Sequence, residues 1–227
     1  MSHELRTPLN AILGIGQMLE SGSVESDSPK YPSYVSRIVA SGKHLLSLIE
    51  HVLDYAEVES GRMVFTPEAI NVPHALQEAV EILRADSVPR RVEVHSDIDE
   101  GIESVVTDAV RLRQMLLALI GSAVKFSHEG GRVQVGASSV DDQFWQVTVT
   151  DQGIGIAEAN LPRLFAPFVQ LSSGNTKAYD GTGIGLALVR MIAVAQGGRM
   201  EVRSQSEQGS TFTLVLPRNL AAPTGSA

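Results

Sequence analysis

Asp151-Gln152-Gly153-Ile154-Gly155-Ile156 follows directly on Trp145-Gln146-Val147-Thr148-Val149-Thr150, whose residues alternate between apolar and polar. Alternation at period two marks a strand with one face on a core. A strand that runs into Asp-x-Gly-x-Gly ends on a carboxylate and a tight turn. The carboxylate can accept a hydrogen bond from an exocyclic amine such as adenine's. The glycines let the backbone turn closely around a flat base. Thirty residues on, Gly181-Thr182-Gly183-Ile184-Gly185-Leu186 opens a helix. Free amides at a helix start, with no side chains in the way, cradle phosphate oxygens. Either cluster alone is also what an ordinary loop-rich turn looks like. Neither is a P-loop, because no Lys-Ser/Thr follows a Gly-x-x-x-x-Gly. Nor is the second cluster a dinucleotide fingerprint: it follows a long loop where that fingerprint needs a strand, and its glycine spacing differs.

Outward from these clusters the pattern is mixed helix and strand. Strands are expected at 63–65, 92–98, 104–107, 131–139, 145–150, 199–204 and 211–216. Helices are expected at 72–85, from an Asp108 or Thr107 cap to about Phe126, and from the second glycine cluster to about Gln196. A long Gly-rich loop is expected over 152–182, and a disordered tail from Arg218. The sum is an α+β domain, a mostly antiparallel sheet with helices on one face.

The N-terminal segment reads differently. Residues 2–20 and 33–60 carry apolar residues at three-to-four spacing, separated by a Ser, Gly, Pro and Asp-rich loop. Leu5, Leu9, Ile12, Gly16 and Leu19 form the expected buried stripe of the first helix, which Pro8 should bend. Gly61 ends the second. Two helices cannot close a core alone, so a four-helix bundle made by two copies, a homodimer, is expected. His3, Thr7, Asn10, Gly14 and Gln17 lie on a different, polar face. A zinc reading of His3-Glu4 fails because Thr7 stands where His-Glu-x-x-His needs its second imidazole. An inert surface histidine and a nucleophile oriented by Glu4 both remain open at this point. His44 and His51 read as surface or rim residues.

The 227 residues suffice for two modest domains, expected at 1–62 and 63–218 with a tail at 219–227. A 43% hydrophobic content permits a packed core. The net charge of −8 argues against a nucleic-acid surface. The absence of cysteine excludes disulfides and thiolate metal sites. No apolar run reaches membrane-spanning length, so no membrane contact is expected within this stretch and the cytoplasm is the expected compartment. The histidine helix begins at the terminus, so a longer protein with an upstream anchor or sensor is expected.

In this order the motifs resemble the catalytic core of bacterial sensor histidine kinases, over nearly the whole chain. His3 to Asn10 is similar to the phosphoacceptor box. Asp151-x-Gly153-x-Gly155 and Gly181-x-Gly183-x-Gly185-Leu186 are similar to the two glycine boxes. Leu164-Phe165-Ala166-Pro167-Phe168 resembles the phenylalanine box, and Gly209-Ser210-Thr211-Phe212 the closing strand motif. The resemblance implies a dimerisation and phosphotransfer hairpin joined to an ATP-binding domain of the gyrase, Hsp90 and histidine-kinase type. It implies phosphorylation of His3 from Mg-ATP, with Glu4 as general base, and transfer to an aspartate of a response regulator. Thr7 matches the position that orients water for dephosphorylating the regulator, or is a solvated threonine. Asn10, Gly14 and Gln17 would suit regulator docking. Residues 158–182 would form the ATP lid, with Thr182 beside the second-box glycines at the phosphates.

One helix departs from the pattern. Arg111 to Gln114 and Lys125-Phe126 fit the family's asparagine box, but its two asparagine positions hold Ala118 and Ser122. In the family the second asparagine gives an oxygen to Mg²⁺, and the first lies near the γ-phosphate. Ser122 reaches the metal only through a water, and Ala118 offers nothing polar. Reduced kinase activity is expected, with adenine binding retained through Asp151 and phosphate pairing through Lys125. The alternative is a nucleotide-binding module acting as a phosphatase or phosphorelay dimer through His3 and Thr7. An ATPase unlinked to phosphotransfer would not need the His3 hairpin.

Overall fold

The computed structural model describes residues 2–99, 101–169 and 183–221, without side-chain detail for Ser2, His3, Glu4, Ala85, Asp86 and Pro89. The chain forms two compact units, Met1–Ala56 and Glu57–Ala227. No helix among the described residues is long and apolar enough to cross a membrane.

The first unit holds helix α1, Ser2–Glu20, and most of helix α2, Tyr31–Glu59. Pro8 lies inside α1, which continues through it. The buried stripe is shifted from the expected one. Pro8, Ile15 and Leu48 are buried, while Leu9 is 44% exposed. Apolar residues on each helix form two stripes, and one hairpin can bury only one of them. Leu9 and Leu13 on α1, and Val35, Val39, Leu46, Ile49 and Leu53 on α2, make the second, exposed stripe. Such a surface on a monomer marks an interaction face.

His51 is half-buried, at the rim of the hairpin, and its Nδ1 has no hydrogen-bond partner among the described residues. Burial holds its pKa below the usual value, against the opposing charges of Asp54 and Glu50. A histidine kept neutral by folding must be charged as the pH falls through its unfolded value of about 6.5. Hairpin stability is therefore fully present above that value and is lost below it. Urea midpoints read by helical ellipticity should fall more steeply from pH 7.5 to 5.5 in the wild type than in His51→Gln.

The second unit is a helix-on-sheet layer. Strand β1 (Pro67–Asn71) pairs antiparallel with β3 (Ser104–Asp108). The main sheet has the order β2-β4-β5-β7-β6, from β2 (Glu93–Ile98), β4 (Arg132–Ser139), β5 (Phe144–Asp151), β6 (Arg199–Ser204) and β7 (Ser210–Pro217). Its pairs are antiparallel except β2 with β4. Helices α3 (Val72–Ser87), α4 (Ala109–Phe126) and α5 (Gly185–Ala195) pack on one face. Leu112, Met115, Leu116, Leu119, Ile120, Ala123 and Val124 form the buried face of α4 against Trp145, Val147 and Val149 of β5. Asn71 caps α3 by accepting the His74 N–H at 2.8 Å. Asp108 does more than the expected cap: Oδ1 accepts the Arg111 N–H at 2.9 Å and Oδ2 the Thr66 N–H at 2.8 Å. That carboxylate thus fixes the start of α4 and the chain entering β1, each bond contributing about 1 kcal/mol.

Three expectations need correction. Residues 63–65 are not a strand; the strand is Pro67–Asn71, which has β3 as partner while 63–65 has none. The expected loop after Ile156 contains a 3-10 helix, Glu158–Arg163. The tail does not begin at Arg218: its carbonyl accepts the Val106 N–H at 2.8 Å, and Leu220 donates to the Val106 carbonyl at 2.8 Å. Arg218 also reaches Ser139 Oγ at 2.7 Å. Residues 222–227 lie outside the described residues.

Candidate functional site

On β5 the side chains of Trp145, Val147, Val149 and Asp151 alternate into the helix-facing layer. Three of them are core residues; the fourth is a carboxylate, 4% exposed. Its Oδ1 is buried and has no hydrogen-bond partner among the described residues. Burial pushes its pKa up to about 6, against the Gly153 and Ser210 N–H groups, the Ser210 hydroxyl and His128, which favour the charged form. A buried acceptor left unpaired costs stability. It is the expected arrangement for an atom whose donor arrives with a ligand.

The backbone around it is drawn in so tightly that side chains are excluded. A Cβ on Gly153 would stand 2.1 Å from the Phe126 carbonyl oxygen and 2.8 Å from Asp151 Oδ1. Gly155 adopts φ +61° and passes so close to the Gln205 carbonyl that a Cβ would lie 1.9 Å from it. The end of α4 is stitched to this turn, because Ile154 donates to the Phe126 carbonyl at 3.2 Å. The turn between β6 and β7 is stitched to it as well: Glu207 donates to the Ile154 carbonyl at 2.7 Å, and Ile156 to Ser204 Oγ at 2.8 Å. Gly153→Ala should destabilise the second unit by roughly 3 kcal/mol, the overpacking range, and lower its melting temperature. Gly14→Ala is the comparison, since a Cβ there meets nothing within 4 Å.

Helix α4 presents a second, half-exposed face. Gln114, Ala118, Ser122 and Lys125 recur at turn spacing, opposite the buried face. The Lys125 ammonium lies 5.1 Å from the centre of the Phe126 ring. Arg90, which no sequence pattern singled out, closes the end of this helix: its guanidinium donates to the carbonyls of Lys125 and of Val124. A cation at a helix C-terminus offsets the helix dipole and holds Lys125 in place. Its position in the Val88-Pro89-Arg90 turn gave no signal of that role.

This face does not fit a protein-held Mg²⁺. The metal asks for several hard oxygen ligands in octahedral array; Ala118 has none and Ser122 one neutral hydroxyl. No group of three His, Cys, Asp or Glu among the described residues could hold a metal.

The second glycine cluster reaches the structure at Gly183, φ +64°, followed by α5 from Gly185. The helix has no side-chain N-cap, and Leu186 lies half-buried in its first turn. Gly181 and Thr182 lie outside the described residues, as do residues 170–180 of the expected lid. Phe168 donates to the Gly183 carbonyl at 3.1 Å, which joins the Leu164–Phe168 motif to the start of the second glycine cluster's described part. Arg190 of α5 stacks 5.3 Å from the Phe165 ring centre, joining the Leu164–Phe168 motif to the helix behind the second glycine cluster.

In the first unit, His3 and Glu4 belong to α1, but their side chains lie outside the described residues. Thr7, Asn10, Gly14 and Gln17 are exposed along α1.

Comparison with known proteins gives each unit a counterpart. Residues 107–220 match the family model "Histidine kinase-, DNA gyrase B-, and HSP90-like ATPase". Residues 1–61 match "His Kinase A (phospho-acceptor) domain". The histidine protein kinase DivJ of Caulobacter vibrioides is 37% identical over 97% of this chain and 37% of its own length. The autoinducer 2 sensor kinase/phosphatase LuxQ of Vibrio parahaemolyticus is 36% identical over 96% of this chain and 26% of its own. The chain spans less than half the length of the curated relatives it matches. Among solved structures, full-length ShkA in complex with AMPPNP has a TM-score of 0.75 at 30% identity, covering 97% of this chain and 45% of that one.

Proposed function

This chain belongs to the sensor histidine kinases, and from that premise we propose that it binds ATP against Asp151 and transfers the γ-phosphoryl group to His3. The observation that carries this reading is the unpartnered, buried Asp151 Oδ1 inside a wall of glycines. The exocyclic amine of adenine is the donor that atom lacks. Gly153 and Gly155 admit the base, and the Gly181 to Leu186 segment at the head of α5, with Lys125, receives the phosphates.

In the transfer a nitrogen of His3 attacks the γ-phosphorus. A P–N bond forms, the P–O bond to ADP breaks, and Glu4 takes the imidazole proton. The phosphoryl group then passes to an aspartate of a response regulator, for which the exposed Asn10, Gly14 and Gln17 stripe on α1 provides the docking face. The metal in this reading travels on the nucleotide's own phosphates and water. The exposed apolar stripes of α1 and α2 supply the seam of a homodimer, a four-helix bundle. The phosphotransfer half extends to about residue 62 and the catalytic half follows it. In this reading the reaction runs in the cytoplasm, where ATP and a receiver domain would be met.

Ala118 and Ser122 favour a second reading, in which nucleotide binding persists but the forward reaction is slow. The chain then acts chiefly as a phosphatase or relay through His3 and Thr7. Incubation with γ-labelled Mg-ATP separates the two. Acid-labile label on the wild type, absent from His3→Ala, supports the kinase. No label, with nucleotide still bound and a phosphorylated receiver domain dephosphorylated in a Thr7-dependent way, supports the second reading.

A further inference from the structure

The second unit contains a cavity of about 740 Å³ at the end of the β5–β7 ladder away from Asp151. The chain segment leaving α2 forms one wall, and the segment leaving β7 forms another. Residues at the end of α5 line a third side of it. Position in the sheet separates it from the nucleotide site. Asp151 pairs with Ser210 at one end of the β5–β7 ladder, whereas Pro217, in the cavity wall, pairs with Phe144 at the other.

The walls are largely apolar: Met63, Val64, Phe65, Pro217 and Leu220. Val64 is 70% exposed. Three polar side chains break this surface: Gln196, Arg62 and the exposed Asn219. Gln196 is 4% exposed; its Oε1 accepts the Thr107 hydroxyl at 3.4 Å, and its Nε2 is buried with no partner among the described residues. Arg62 is exposed and makes no ion pair among the described residues, and no acidic residue lines the cavity. A concave apolar surface of this size with one orphan donor and one cation has the composition of a small-molecule site. The buried donor asks for an acceptor, and the guanidinium asks for negative charge.

We infer that this cavity binds a small amphipathic carboxylate, its apolar body on the 63–65 and 217–220 walls and its carboxylate between Gln196 Nε2 and Arg62. The ligand would tie together the segments by which the chain enters and leaves the ATPase fold. It lies outside the phosphoryl-transfer machinery, so its failure leaves the kinase reading untouched.

The test uses decanoate, with decan-1-ol and decyltrimethylammonium as neutral and cationic counterparts, all below their micellar concentrations. Titrations into the full chain are followed by calorimetry and by the Gln196 side-chain amide resonance. Decanoate should bind saturably and shift that resonance. Decan-1-ol should bind at least tenfold more weakly, and decyltrimethylammonium should leave the resonance unmoved. Arg62→Glu should weaken decanoate at least tenfold while ATP affinity stays unchanged, which also shows that the variant is folded. Gln196→Met should weaken decanoate and spare ATP in the same way. No saturable shift of Gln196, equal binding of the three amphiphiles, or undiminished decanoate binding by Arg62→Glu would each overturn the assignment.

Discussion

The double substitution Ala118→Asn with Ser122→Asn should raise the rate of His3 phosphorylation by roughly ten- to a hundredfold, with ATP affinity changed far less. Phosphoryl transfer needs little from a protein beyond positioning and preorganised polar groups around the developing charge. Removing one such group typically costs on the order of a hundredfold in rate. The half-exposed face of α4 offers only a methyl and a short hydroxyl where the resemblance calls for two amides. Both positions lie off the buried side of the helix, so asparagine fits without repacking the core. Single-turnover labelling checks the rate, and titration with a non-hydrolysable analogue checks the affinity. An unchanged rate would mean that α4 is not what limits the reaction.

Asp151→Asn should have the opposite effect. The hydrogen bond it removes joins a charged acceptor to a neutral donor, so its loss costs about 1.5–3 kcal/mol, roughly ten- to a hundredfold in ATP affinity. The wild type should also show a pH dependence that the variant lacks. With a pKa pushed up to about 6 by burial, the carboxylate accepts the amine above that pH and is protonated below it. ATP binding should therefore weaken as the pH falls through about 6. Stability runs the other way. A carboxyl whose pKa is raised by folding binds more protons folded than unfolded, so stability falls as pH rises from the ordinary carboxylate range through about 6. At pH 7.5 the nucleotide-free Asp151→Asn protein should melt higher than the wild type while binding ATP worse. Calorimetric titration and a melting curve on the same samples test both halves. A variant both less stable and still tight-binding would remove Asp151 from the site.

Local motifs made much of this site legible. Asp151, Gly153 and Gly155 are close in sequence, and their requirements are carried by residue type: a carboxylate at a strand end, then backbone with no room for Cβ. Asp108 was readable as a helix cap because capping chemistry is local. What escaped was set by distant partners. Residues 63–65 carry a strand-like apolar run, yet Pro67–Asn71 is the strand, because pairing requires β3 opposite. Arg218 and Leu220 sit in a composition that suggests disorder, yet Val106 holds both. Arg90 binds the last carbonyls of α4 across 34 and 35 residues of chain. The parallel pairing of β2 with β4 is likewise invisible in their periodicities. On α1 the spacing announced an amphipathic helix but not that two apolar stripes share it. Leu9 and Ile15 look alike in sequence, and only the position of α2 separates the exposed one from the buried one.

Phosphoryl transfer to His3 is tested most directly by site-resolved mass spectrometry of the chain after incubation with Mg-ATP, kept alkaline to preserve phosphohistidine. The six histidines are His3, His44, His51, His74, His95 and His128. The expected result is a phosphoryl group on His3 alone, reduced in Asp151→Asn at subsaturating ATP and increased in the double asparagine variant. Phosphate on another histidine, or on none in either the wild type or the asparagine variant, would contradict it.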